Sequence, residues 1–227
     1  MDIPELMTKN FFYLKGDELF CSFFANSVYP WDLLACIGPF LMALGSQLPE
    51  ERYVRTGKDV WIARSAKVAG FSTIKGPAII GEETEVRPGA FIRGNVFVGD
   101  HCVIGNSTEL KNAMLLGQVE APHFNYIGDS ILSFGAHLGA GVITSNLRSD
   151  RKNIKVRLGS AVMETGLRKF GAMIAENVEI GCNAVLSPGV LIGAGSMIYP
   201  LSFVRRSVPR NSIYKNQGEV THRQLFE

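Results

Sequence analysis

An apolar residue returns at every sixth position over long stretches of this chain. Ile62, Val68, Ile74, Ile80, Val86, Ile92, Val98, Ile104, Leu110 and Leu116 form one unbroken series. Ile174, Ile180, Leu186, Ile192, Ile198 and Val204 form a second. An α-helix repeats about every 3.6 residues and a half-buried strand about every second residue, so neither sustains this step. A hexapeptide period predicts a parallel β-helix, in which each coil stacks on the last and buries its inward side chain.

A second layer of pattern supports this. Small residues stand two positions before the inward one: Ala66, Ser72, Ala78, Thr84, Ala90, Cys102, Thr108, Ala184 and Ser196. Glycine often follows it, at Gly81, Gly99, Gly105, Gly117, Gly181 and Gly193. Tight corners call for small side chains and for residues that tolerate unusual φ. Three six-residue sides close a triangular coil of about 18 residues. The fold expected is all-β: a left-handed parallel β-helix with an N-terminal helical cap and a short C-terminal tail. A sandwich would instead show alternation, with turns about every 8–12 residues.

The boundaries follow the period. Residues 1–57 lack it and form the helical cap, residues 58–204 carry the coils, and residues 205–227 form the other cap and tail. Leu33, Leu34, Ile37, Phe40, Leu41 and Leu44 lie on one stripe of an amphipathic helix. Pro39 should kink that helix or divide it, and Gly45 should stop it. The period fails twice, between Leu116 and Ile127 and again across Thr144–Arg157. Both segments, 118–126 and 144–157, are expected to loop out of the wall, where repeat proteins gather their ligand-binding residues.

Composition narrows the function. A net charge of +2 over 227 residues gives no footprint for nucleic acid or a membrane surface. Cys21, Cys36, Cys102 and Cys182 show no C-x-x-C spacing and read as buried free thiols. The most apolar stretch, from Val28 to Leu44, contains Asp32 and Pro39 and is too short to span a bilayer. A soluble, cytoplasmic protein is expected.

Four motifs then recur in order: Arg87-Pro88-Gly89-Ala90, Glu109-Leu110-Lys111-Asn112-Ala113, His123-Phe124-Asn125-Tyr126-Ile127-Gly128-Asp129, and Gly139-Ala140-Gly141-Val142-Ile143-Thr144-Ser145-Asn146. In this order and spacing, over about residues 60–220, the chain resembles the glucosamine-1-phosphate N-acetyltransferase domain of UDP-N-acetylglucosamine biosynthesis. The leader Pro30-Trp31-Asp32-Leu33-Leu34 resembles short sugar-nucleotidyltransferase-like proteins that keep the β-helix without a nucleotidyl domain.

The resemblance implies acetyl transfer from acetyl-CoA, a cosubstrate, to the amine of an amino-sugar phosphate, with no metal required. His123 matches the general base, a role suited to an imidazole whose ordinary pKa lies near operating pH. Asn146 matches an asparagine near the acetyl group. Arg87, Lys111 and Tyr126 match residues that hold the sugar phosphate, where a forked guanidinium and an ammonium are apt. Lys152 matches a loop lysine that reaches the phosphate across a subunit boundary. His137 stands where the family has a sugar-contacting asparagine, and Leu147 where it has a tyrosine. Ala140, Cys182, Arg205 and Lys215 are the residues implied to hold CoA. The resemblance also implies a homotrimer.

Two other readings stay open at this point. A zinc carbonic anhydrase on the same solenoid would need three histidines, and His101, His123 and His137 lack that family's close pair. A β-helix scaffold that has lost its chemistry is the alternative of a different class.

Overall fold

A computed structural model of the chain describes residues 4–12, 18–215 and 219–223. The rest of the two flanking segments lies outside the described residues. The described chain is mainly short strands wound into a left-handed β-helix of about nine turns. Three faces follow one another around each coil, and the inward side chains stack in three parallel columns.

The first face stacks Ile62, Ile80, Val98, Leu115, Leu132, Ile174 and Ile192. On the second face the column is Val68, Val86, Ile104, Ala121, Leu138, Ile180, Ile198 and Tyr214. The third face stacks Ile74, Ile92, Leu110, Ile127, Thr144, Leu186 and Val204. Burial of these columns supplies the hydrophobic stabilisation of the solenoid, about 25 cal/mol for each Å² of apolar surface removed from water. Tyr214 closes the far end, its hydroxyl donating to the Phe203 carbonyl at 2.9 Å.

The first break in the period is a deletion, and the expectation that residues 118–126 loop out is corrected. Glu109 pairs with Tyr126 and Val103 with Glu120, a coil of 17 residues in place of 18. The missing residue is lost at the corner after Leu110, where Asn112 adopts φ 47°. Leu115 therefore takes the inward place expected of Leu116, and Leu116 faces out, 4% exposed beneath the helices. His123 accordingly ends the strand Glu120–His123 in the wall itself.

The second break is a true excursion, and it runs further than the polar segment suggests. The chain leaves the wall at Asn146 and re-enters at Phe170, whose N–H donates to the Asn146 carbonyl at 3.0 Å. Between these points the strands Lys155–Leu158 and Ala161–Glu164 form a hairpin. Gly171 then donates to the Asp129 carbonyl at 2.8 Å, and the coil resumes.

The glycines that follow inward residues are there for closeness and do not take positive φ. A Cβ on Gly105 would lie 1.5 Å from the Pro122 carbonyl oxygen of the next coil. The left-handed backbone falls further round the corners, on residues such as Phe71, His101, Phe124 and Leu201.

Beside the solenoid lies a helical strip. Pro30–Ala35 is a 3-10 turn and Ile37–Gly45 an α-helix, so the amphipathic stripe is divided, but at Cys36. Pro39 sits in the first helical turn, where its missing N–H has no intrahelical partner to lose. The strip covers outward residues of the first face, among them Trp61, Ile79, Met114, Ile131, Met173 and Leu191. Phe20 meets Phe97 at 5.5 Å and Trp31 meets Phe170 at 5.9 Å, which ties helices, wall and excursion together.

Of the four cysteines, Cys102 alone is buried. Cys21 is half-buried, while Cys36 and Cys182 are exposed, which corrects the expectation of four buried thiols.

Candidate active site

The third face brings Lys111, Tyr126 and Asn146 together around a carboxylate. Asp129 stands at the corner where this face ends and is only 4% exposed. It accepts the Lys111 ammonium on both oxygens, each at 3.1 Å, and the Asn112 amide at 3.0 Å. The Asn146 amide donates to its other side and also to the Tyr126 hydroxyl at 3.2 Å. A buried carboxylate keeps its charge only where donors replace water, and here three side chains do so. Burial, followed by the charges of Asp129 and Glu109, raises the Tyr126 phenol above its ordinary pKa. Tyr126 is therefore a neutral hydroxyl, able to donate.

These neighbours come from consecutive coils at one corner. Leu110, Ile127 and Thr144 share a column, so the residues two places further on, Asn112, Asp129 and Asn146, stack as well. Asp129 closes the motif that runs from His123, where the sequence alone gives it no role. Its 17-residue separation from Asn112, one short coil, is the signal that could have found it.

A second set occupies the corner between the second and third faces. His123 pairs in register with Asn106. Gly141 donates to the His123 carbonyl at 3.0 Å, and Asn183 to the Ala140 carbonyl at 2.8 Å. His123, Ala140 and Cys182 consequently form one column on successive coils. Asn125, buried beneath it, accepts the His123 N–H at 3.2 Å and donates to the Gly139 carbonyl at 2.8 Å. This pins the backbone of the corner and leaves the imidazole exposed beside Phe124.

The other expected residues stand elsewhere in the single chain. On the second face Arg87 pairs with Glu85 at 3.1 Å and the His137 ring with Glu179 at 2.8 Å. Lys152 lies exposed on the excursion, its N–H donating to Asp150 at 3.1 Å. Arg205 lies 5.8 Å over the Phe203 ring, and Lys215 pairs with Glu219 at 3.0 Å. No group of three or more His, Cys, Asp or Glu side chains with metal-site geometry occurs among the described residues. His101 is at the corner between the first and second faces, so His101, His123 and His137 belong to three different columns.

Several known proteins are similar to this chain. A family described as the GMPPB C-terminal domain matches residues 74–163. A bifunctional sugar-1-phosphate nucleotidylyltransferase/acetyltransferase of Sulfurisphaera tokodaii is 34% identical over 160 residues, 63% of this chain and 40% of that protein. The bifunctional protein GlmU of Methanococcus aeolicus is 32% identical over 234 residues, 95% of this chain and 52% of that one. Among solved structures, PerB of Caulobacter crescentus, in complex with CoA and GDP-perosamine, aligns at TM-score 0.39 and 18% identity, covering 71% of this chain and 56% of that one. By sequence the chain is similar to parts of these bifunctional proteins. It is related to the acetyltransferase region of the GlmU proteins, and it spans about half the length of the curated relatives it matches.

No helix among the described residues is long and apolar enough to cross a membrane.

Proposed function

We propose that the chain is a CoA-dependent N-acetyltransferase acting on an amino-sugar phosphate, and that it works as a homotrimer. The observation that carries this reading is the column of His123, Ala140 and Cys182, exposed at His123 and Cys182. It opens onto the face that bears Tyr126, with Lys111 and Asn146 at that face's far corner.

Exposed on the wall, His123 can reach a ligand lying along this corner. It removes the proton from the sugar amine as the nitrogen attacks the thioester carbonyl, and the new C–N bond forms. When the tetrahedral intermediate collapses, the C–S bond breaks and the thiolate takes a proton from the imidazolium. A base whose ordinary pKa lies near operating pH serves both transfers. Along the His123 column, Ala140 and Cys182 supply a small side chain and a thiol against which a pantetheine arm can lie.

Asn146 and Tyr126 offer an amide and a neutral hydroxyl to the sugar. Within the chain the charges of Lys111 and Arg87 are answered by Asp129 and Glu85. They bind the phosphate as partly neutralised donors, and Lys152 of a neighbouring subunit adds a full charge.

The homotrimer rests on the same corner. Phe71, Phe124 and Leu201 stand three residues after inward positions of the second face, with φ of 63°, 53° and 60°. Bulky residues seldom adopt such backbone, yet these are 98%, 61% and 74% exposed. Three bulky apolar residues held in costly conformations along this corner, with Gly89, Ser107, Gly141 and Asn183 between them, are explained by burial against another copy.

His123→Ala should abolish CoA-thiol release from acetyl-CoA with amino-sugar phosphates while leaving CoA binding in place. Persistence of turnover overturns the assignment of the base. Light scattering should give three times the 24.8 kDa chain mass, and a monomeric mass would remove the shared site.

A further inference from the structure

A cleft lies outside the His123 corner, between the excursion and the 3-10 turn Pro30–Ala35. It encloses about 540 Å³ and is lined by Leu34, Ala35, Asn112, Leu147, Arg151, Leu167, Arg168 and Lys169. We infer that this cleft binds the nucleoside diphosphate moiety of a ligand, with Arg151, Arg168 and Lys169 on its phosphates and the leucines against its base.

Charge distribution is the first support. Residues 145–171 carry seven basic side chains and two acidic ones, while the whole chain nets only +2. The excursion's two carboxylates are already engaged, Asp150 by Arg148 at 2.6 Å and Glu164 by Lys155. Arg151, Arg168 and Lys169 form no ion pair among the described residues. Gathering three unanswered cations around one concavity costs mutual repulsion, and a multiply charged anion relieves it. Guanidinium groups suit the purpose because their forked donors match phosphate oxygens.

The apolar part is the second support. Leu34, Leu147, Leu167 and Ala35 share the cleft with the cations. Leu147 remains 44% exposed. A bare inorganic anion would have no use for these side chains, whereas a planar heterocycle would cover them. Small-molecule sites of about 300–1,000 Å³ combine a mainly apolar lining with a few convergent polar groups in this way.

Position is the third. Asn112 lines the cleft and also donates to Asp129 at 3.0 Å and to the Leu34 carbonyl at 3.2 Å. The cleft thus adjoins the Lys111–Asp129–Asn146 cluster through one shared side chain. Its binding function does not depend on acetyl transfer by His123.

The test is titration calorimetry on the full chain with UDP, GDP, ADP and CoA, beside uridine and inorganic phosphate. At least one diphosphate should bind, and uridine and phosphate should bind at least tenfold more weakly. The triple variant R151Q/R168Q/K169Q, with an unchanged circular dichroism spectrum, should lose at least tenfold in affinity. His123→Ala should bind the same diphosphate unchanged, which separates this site from the proposed catalysis. Binding of ADP and CoA but not UDP or GDP identifies the moiety as that of CoA, and the reverse identifies a separate nucleotide. The inference is overturned if no diphosphate binds, or if the triple variant binds as the parent does.

Discussion

The Lys111 ammonium reaches both oxygens of the Asp129 carboxylate at 3.1 Å, across one turn of the solenoid. Asn112 and Asn146 complete the shell of donors. Neither partner of the ion pair is well solvated, so each depends on the other. Lys111→Met should lower unfolding free energy by about 1–3 kcal/mol, the cost of leaving a buried acceptor short of a donor. Urea denaturation of the variant checks it, and an unchanged midpoint would show that the pair contributes nothing.

Asp129→Asn keeps the shape of this cluster and removes its charge. The amide cannot accept from all three donors at once, so Asn146 and Lys111 lose their fixed positions. If acetyl transfer occurs as proposed, kcat/KM should fall by at least tenfold while the circular dichroism spectrum is retained. A full-rate D129N enzyme would separate the cluster from catalysis.

Gly105→Ala and Gly70→Ala form a matched pair. The added Cβ at Gly105 meets the Pro122 carbonyl oxygen at 1.5 Å, whereas at Gly70 nothing lies within 4 Å. Forcing the coils apart should cost at least about 3 kcal/mol at Gly105, the upper end of ordinary overpacking. Thermal melting should show a large drop for the first variant and almost none for the second.

Burial pushes the Cys102 thiol up to about 12, and burial does the same for the Tyr53 phenol. Unfolded chains release these protons at lower pH than the folded chain does. Above the unfolded thiol pKa the unfolded state therefore binds fewer protons, and stability falls as pH rises. The contribution is complete below about pH 8 and is lost between about pH 9 and 12. Cys102→Ala should flatten the decline of melting temperature above pH 9. In the native parent, maleimide should label Cys36 and Cys182 rapidly and leave Cys102 unmodified.

Trp31 stacks on Tyr29 at 4.6 Å and touches Phe170 at 5.9 Å, where the excursion rejoins the wall. Trp31→Ala should cost about 3–5 kcal/mol, the usual penalty for deleting a buried large aromatic side chain. Hydrogen exchange should rise in both 30–45 and 147–169 if the two segments depend on each other. A rise in only one would show that they are held independently.

The winding, the inward columns up to Leu110 and the return of the period at Ile174 could all be read from the apolar spacing. The seventeen-residue coils could not. Dropping a single residue after Leu110 moves Leu115 inward and turns Leu116 toward the helices. Both are leucine, so the sequence carries no mark of the exchange. The same deletion made 118–126 look like an insertion, although its residues pair in register with 103–106. The role of Asp129 is hidden in the sequence for a related reason, because its partners are one coil away and coil length decides which residues meet.

Composition and period alone thus determined a solenoid, because one buried side chain per six residues admits few other foldings. His123, Lys111, Tyr126 and Asn146 were marked as chemically promising by the resemblance of their motifs, not by the period. Only the tertiary structure decided which of these meet, since contacts across coils depend on a register that one residue can shift. It also decided that the N-terminal helices lie along a face of the prism. That placement follows from the row Trp61, Ile79, Met114, Ile131, Met173 and Leu191, which points out of the wall and would otherwise face water.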